Sequence, residues 1–306
     1  MNKKKKGSFA VKKKFMTSVF INAVLLIIAP IAVIMMYFSG READTQLKMA
    51  ESSLKEFEKA YECLSDEKKM LSLENEELLE EIEYLKENPS YTDEQKMAVI
   101  EKYNVYYDTL KKKAEKYPEC VDYVFMYPVY RNEKFEIDIK EEVKKDKVPM
   151  FLQWDKRWGY LNYGEDLMGI TGCGPTVVSM SAVYLTKNDK FTPDHVAHVS
   201  EKNGYYVNGI GTSWKFIEDG CELFDIHSKE IKLTEQSLKE ELSRQYPIIA
   251  SVGPGNFTGT GHFIVIAGFN DSGFLVNDPN SLKNSSKYWS FDTLKKQIKK
   301  LWAMYV

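Results

Sequence analysis

The C-terminal half of this chain predicts an α+β domain, and the N-terminal half predicts helices followed by a connector. Two observations in the C-terminal half carry the reading: an apolar helix, Val177 to Leu185, opened by Gly172-Cys173-Gly174-Pro175, and two apolar β-prone runs split by the turn cluster Asn270-Asp271-Ser272-Gly273. A third, in the N-terminal half, is a 24-residue uncharged stretch, Phe15 to Phe38, that leads into heptads.

Residues 1–14 carry seven lysines and no acid. A bilayer is spanned by about 20 apolar residues, so 15–38 is long enough to cross with some tilt. The positive-inside rule keeps the lysines cytoplasmic and sends everything after Gly40 across. A cleaved signal has an apolar region of only about 7–15 residues and ends in small residues, whereas this run ends Met36-Tyr37-Phe38-Ser39-Gly40-Arg41. The expectation is an uncleaved transmembrane signal-anchor, single-pass in the cell membrane, with the C-terminal domain extracellular. Four cysteines, Cys63, Cys120, Cys173 and Cys221, make no disulfide framework. The outside placement therefore rests on topology.

Residues 43–88 read as a coiled coil. With Leu47 at position a, the d series is Ala50, Phe57, Leu64, Leu71, Leu78 and Leu85, while Lys68 and Asn75 fall at a. An asparagine at a favours a parallel homodimer through 47–85, a stalk of about 58 Å at ~1.5 Å per residue. The other reading is an amphipathic helix folded back on its own chain. Asn88-Pro89 ends this helix. Thr92-Asp93-Glu94-Gln95 has the form of a capping box opening a further helix to about Lys116, whose charges read as a solvated face. Residues 118–147 mix prolines, β-prone pieces and a charge run, and read as a connector, so 89–147 is a helical segment with connector ahead of a domain at 148–306.

Within that domain, helices are expected from Thr192 to about Asn203, near Trp214 and from Thr234 to about Gln245, with strands at Pro247 to Val252 and in the hairpin. Gly253-Pro254-Gly255 and Gly259-Thr260-Gly261 bracket a candidate lid. The net charge of −3 and a near-neutral 148–306 argue against a nucleic-acid partner.

The chemistry centres on Cys173. Pro175 brings its fixed φ and missing N–H to the first helical turn, so the thiol sits where unpaired N–H groups and the helix dipole favour thiolate. His262 opens the apolar run Phe263 to Gly268. If the hairpin loop is centred on Asn270, His262 lies opposite Asp278, close enough for a carboxylate to hold one imidazole nitrogen while the other faces a thiol. Gln153, in Met150-Phe151-Leu152-Gln153-Trp154-Asp155-Lys156-Arg157-Trp158, is a candidate side-chain N–H donor beside the backbone N–H of Cys173. His195 and His198 are three apart on a helix, a spacing compatible with metal, but no HExxH motif or cysteine pair completes a zinc site. No metal or cofactor is expected.

Four motifs in order, Gln-Trp-Asp-Lys-Arg-Trp at 153–158, Gly-Cys-Gly-Pro-Thr at 172–176, Gly-His-Phe-Ile-Val-Ile-Ala-Gly at 261–268 and Val-Asn-Asp-Pro at 276–279, resemble the papain-like cysteine peptidases of the bacteriocin-processing type, peptidase family thirty-nine, over Val148 to Val306. The resemblance implies a papain-like domain in which a cysteine-bearing helix packs on an antiparallel sheet with a cleft between them. It also implies Cys173 as nucleophile, His262 as base and acid, Asp278 (or Asn277 in its place) as orienter, Gln153 as oxyanion donor, and a peptide or protein substrate. Two other classes fit the same chain: a surface scaffold whose papain-like domain only binds peptides, and an acyl-transferring, transpeptidase-like enzyme.

Overall fold

A computed structural model describes residues 40–87, 92–143 and 146–306. The expected basic tail, 1–14, and signal-anchor, 15–38, lie outside the described residues. Among the described residues, no helix is long and apolar enough to cross a membrane. The chain divides into two compact units, Met1–Glu76 and Glu77–Val306.

The heptad region is one uninterrupted helix, α1, Gly40–Glu87. In the first unit Leu64 and Leu71 of the seam are 62 % and 44 % exposed, and Asn75 turns its amide onto its own Leu71 carbonyl at 2.7 Å. In the second unit the seam is covered. Leu78 and Ile82 are buried among Val99, Ile100, Tyr103 and Leu110, so at its C-terminal end the expected dimer seam is occupied by the same chain.

The next helix begins with a capping box, Thr92 Oγ1 accepting from the Gln95 N–H and Gln95 Oε1 from the Thr92 N–H. It does not run on to Lys116. It breaks into α2, Asp93–Lys102, and α3, Asp108–Lys116. The intervening Tyr103-Asn104-Val105-Tyr106-Tyr107 contains only aromatic, β-branched or turn-prone residues, all poor helix formers, and Tyr106 anchors it by donating to the Phe125 carbonyl at 2.8 Å.

The expected connector is not a tether. It contains α4, Val121–Phe125, with Val121, Tyr123, Val124 and Phe125 all buried. Tyr123 stacks on Tyr160 with ring centroids 4.7 Å apart, donates to the Gly159 carbonyl, and accepts from Tyr160 at its own carbonyl. Aromatic side chains supply this packing.

The C-terminal domain is the expected α+β arrangement. Helix α5, Cys173–Thr186, is buried all round from Gly174 to Val183, and α6, Pro193–Lys202, packs against it. A six-stranded antiparallel sheet comprises β1 (His227–Glu230), β2 (Ile248–Val252), β3 (His262–Asn270), β4 (Gly273–Asn277), β5 (Tyr288–Trp289) and β6 (Ile298–Tyr305), in the order β1-β6-β2-β3-β4-β5. One face, through Ile249, Phe263, Val265 and Met304, shares a core with Val177, Val178 and Met180 of α5. The other face, through Ile248, Ala250, Ile264 and Ile266, covers Leu238 and Leu294. With helices on both faces, β2 is buried at all five residues.

The bracketed loop ahead of β3 is pinned rather than lid-like. Gln297 receives the Asn256 N–H at 2.7 Å, and Phe257 is buried with its ring 4.7 Å from that of Trp289.

Candidate active site

Cys173 is the first residue of α5, with Gly172 as N-cap and Pro175 in the first turn. The flanking glycines serve backbone packing more than access to sulfur: a Cβ at Gly174 would stand 2.3 Å from Thr212 Oγ1, and one at Gly172 2.5 Å from the Met168 carbonyl. Cys173 is half-buried, whereas Cys120 and Cys221 are fully buried.

His262 starts β3. Its register with β4 differs from the symmetric expectation. The turn is only Asp271-Ser272, because Asn270 pairs with Gly273, and a bulge falls between Ile266 and Gly268. Val265 therefore pairs with Asn277, which puts Asp278 level with Ile264, two residues along from His262. Diagonal neighbours on one face remain within reach of long side chains, and the contact forms: His262 Nε2 lies 2.8 Å from Asp278 Oδ1. That commits Nε2 to the carboxylate and leaves Nδ1 for Cys173, which lines the same cleft and whose charge and that of His262 stabilise each other.

Asp278 is fully buried. Its Oδ1 also accepts from the Asn280 N–H at 2.9 Å, and its Oδ2 from Asn284 Nδ2 at 2.8 Å. Asn277, the other candidate orienter, faces away from this site and donates to the Val148 and Pro149 carbonyls.

Burial pushes the Cys173 thiol up. The hydrogen bond and charge of His262, with N–H groups from Phe263 and Gly174, more than offset this and bring it below its ordinary 9.0. Burial pushes the His262 imidazolium down, and Asp278 and the Cys173 sulfur carry it well above its ordinary 6.5. Each partner favours the other's charge, so the pair is poised as thiolate and imidazolium. Cys120 and Cys221 have no histidine, and burial drives each thiol up to about 11.

Gln153 is buried at the cleft but not poised as expected. Its Nε2 donates to the Gly169 and Ile170 carbonyls at 3.0 and 3.1 Å, which uses both amide protons, and Oε1 is buried with no partner. In this conformation it braces the turn ahead of α5. Its segment also grips the Asp278 loop: the Gln153 N–H donates to the Pro279 carbonyl at 2.7 Å and Trp154 Nε1 to the Asn280 carbonyl at 3.1 Å. His195 and His198 lie on α6, away from Cys173, and His195 packs beside Phe191 and Phe224.

A cleft of about 680 Å³ opens over Cys173, His262 and Gln153. One wall comes from outside the 148–306 domain: Thr109, Lys113 and Lys116 of α3 line it. Asn284 and Ser281 were also missed, although Ser281-Leu282-Lys283-Asn284 has a helix-start pattern that places them beside Asp278.

The sequence model of the Peptidase_C39 like family matches residues 145–306, more than half of the chain. The chain belongs to this family. It is therefore a cysteine peptidase, and the fold places the family's domain as helix packed on antiparallel sheet. No curated protein matches the chain. The C39-like match begins after α3 and α4, so the lysine-bearing wall of the cleft lies ahead of it.

Proposed function

We propose that this C39-like peptidase hydrolyses peptide bonds through a Cys173 thioester. The observation that carries the reading is His262 held between Cys173 and the buried Asp278. The Cys173 thiolate attacks the carbonyl carbon, forming a C–S bond and a tetrahedral oxyanion. His262 gives its proton to the leaving nitrogen as the C–N bond breaks. It then takes one proton from water, whose oxygen attacks the thioester; the C–S bond breaks to restore the thiolate, and the released carboxylic acid gives its remaining proton to solvent. The backbone N–H of Cys173 receives the oxyanion, and Gln153 adds a second donor by turning its amide off one of the carbonyls it now holds.

On this reading the enzyme acts on a peptide or protein outside the cytoplasm of a bacterial cell. Phe15 to Phe38 anchors it in the membrane and residues 47–71 pair two copies. The support is the seven lysines before an uncharged span, the heptad pattern, and the exposed Leu64 and Leu71 within it. Incubation with a proteome-derived peptide library, followed by sequencing of the new termini, tests the activity. Cleavage lost in Cys173→Ala supports the thioester route, and cleavage retained rejects it. Detergent-dependent release of the intact N-terminus from membranes tests the anchor, and its recovery in the soluble fraction rejects it.

A further inference from the structure

Two side chains from the helical segment ahead of the family-matched region reach the loop that carries Asp278. Lys113, on α3, is only 7 % exposed, and its Nζ donates to Asn280 Oδ1 at 2.5 Å. The same Asn280 gives its backbone N–H to Asp278 Oδ1. Glu119 accepts from Ser281 Oγ with one oxygen and from the Lys283 N–H with the other, at 2.9 Å. Ser281 caps the turn Leu282–Ser285, whose Asn284 donates to Asp278 Oδ2. Each oxygen of the carboxylate is thus held by a residue that α3, or the turn after it, secures.

We propose that Lys113 and Glu119 are positioning residues for this peptidase, locking the 278–285 loop so that Asp278 stays bonded to His262. The inference rests on the roles given above to His262 and Asp278. Burying a lysine is expensive unless it is well bonded, and here the bond falls on the residue that orients the carboxylate. Groups acting on a first set of partners in this way are worth on the order of 10-fold in activity. Around the lysine stand the Tyr117 ring, 5.4 Å from its Nζ, and Cys120, while the charges of Asp278 and Cys173 also act on it.

The test is the pH profile of kcat and kcat/KM for the full chain, compared with Lys113→Met and Glu119→Gln. Positioning predicts that Lys113→Met lowers kcat about 10-fold with KM little changed, and that the alkaline limb moves to lower pH as His262 loses its hold on Asp278. Glu119→Gln moves it the same way by less. Loss of a cation acting only by charge would move that limb to higher pH, so the sign decides. An unshifted limb, or one shifted upward, overturns the proposal. Should Lys113→Met not fold, Asn280→Ala deletes the acceptor, keeps the lysine and reads the same link. If Cys173→Ala retains activity, the thioester reading itself fails. If Cys173→Ala is dead and these limbs are unmoved, only the positioning role fails.

Discussion

Cys173 and Cys221 make an instructive pair. Both stand at or near the start of a helical element, Cys173 as the first residue of α5 and Cys221 as the second of a short 3-10 turn, Gly220–Phe224. The thiol of Cys221 is driven up to about 11 by burial, while that of Cys173 is brought down against burial. The difference is His262, and behind it Asp278. A helix start makes a thiolate easier to form, but the imidazolium decides whether one forms at neutral pH.

That contrast can be broken most severely at sulfur. Cys173→Ala should lower kcat on the order of 10⁶-fold, the scale of removing a nucleophile, while Cys221→Ala should leave the activity of the folded enzyme intact. A kinetic assay with purified protein in which both behave alike removes the distinction. His262→Ala, which strips Cys173 of what Cys221 lacks, should cost on the order of 10⁴-fold, at the upper end of acid-base contributions. A loss of only a few-fold shows that proton transfer runs through another group.

Gln153→Ala separates brace from donor. A second oxyanion donor predicts a loss of about 100-fold in kcat, whereas a brace predicts a loss of about 1 kcal/mol of stability with kcat nearly unchanged. Thermal melts and kcat on the same samples distinguish the two. The proposed role requires the first result.

The pH dependence of kcat/KM should be bell-shaped. Its acid limb reports protonation of Cys173 and lies below the ordinary thiol value of 9.0, because the folded pKa is depressed and activity is lost as pH falls through it. Its alkaline limb reports deprotonation of His262 and lies above the ordinary 6.5, because that pKa is raised and the proton donor is lost as pH rises through it. Both limbs belong to the pair. Limbs in the reverse order would mean a neutral pair.

Much of this site was legible because its parts are local. The Gly-Cys-Gly-Pro start, the capping box at Thr92 and the hairpin turn each declare themselves within a few residues. What was not legible depends on distant packing. The two-residue turn and the bulge after Ile266 each shift the pairing, and neither leaves a periodicity signal, yet Asp278 still reaches His262 because a diagonal neighbour is close enough. Strand β6 was hidden by Lys299 and Lys300, which interrupt its apolar run. Lys113 sits in a charged helix that reads as solvated, and its hydrogen bond to Asn280, 167 residues away, leaves no local signal. The α4 segment reads as a connector because the partners of Tyr123, Gly159 and Tyr160, lie in the next domain.

Whether His262 activates Cys173 is read most directly from the pH dependence of Cys173 alkylation by iodoacetamide, followed at the labelled peptide by mass spectrometry, in the wild-type chain and in His262→Ala. The wild-type midpoint should lie below the ordinary thiol value of 9.0 and shift to higher pH when the imidazole is removed. Coincident midpoints would contradict the claim that His262 makes Cys173 a nucleophile.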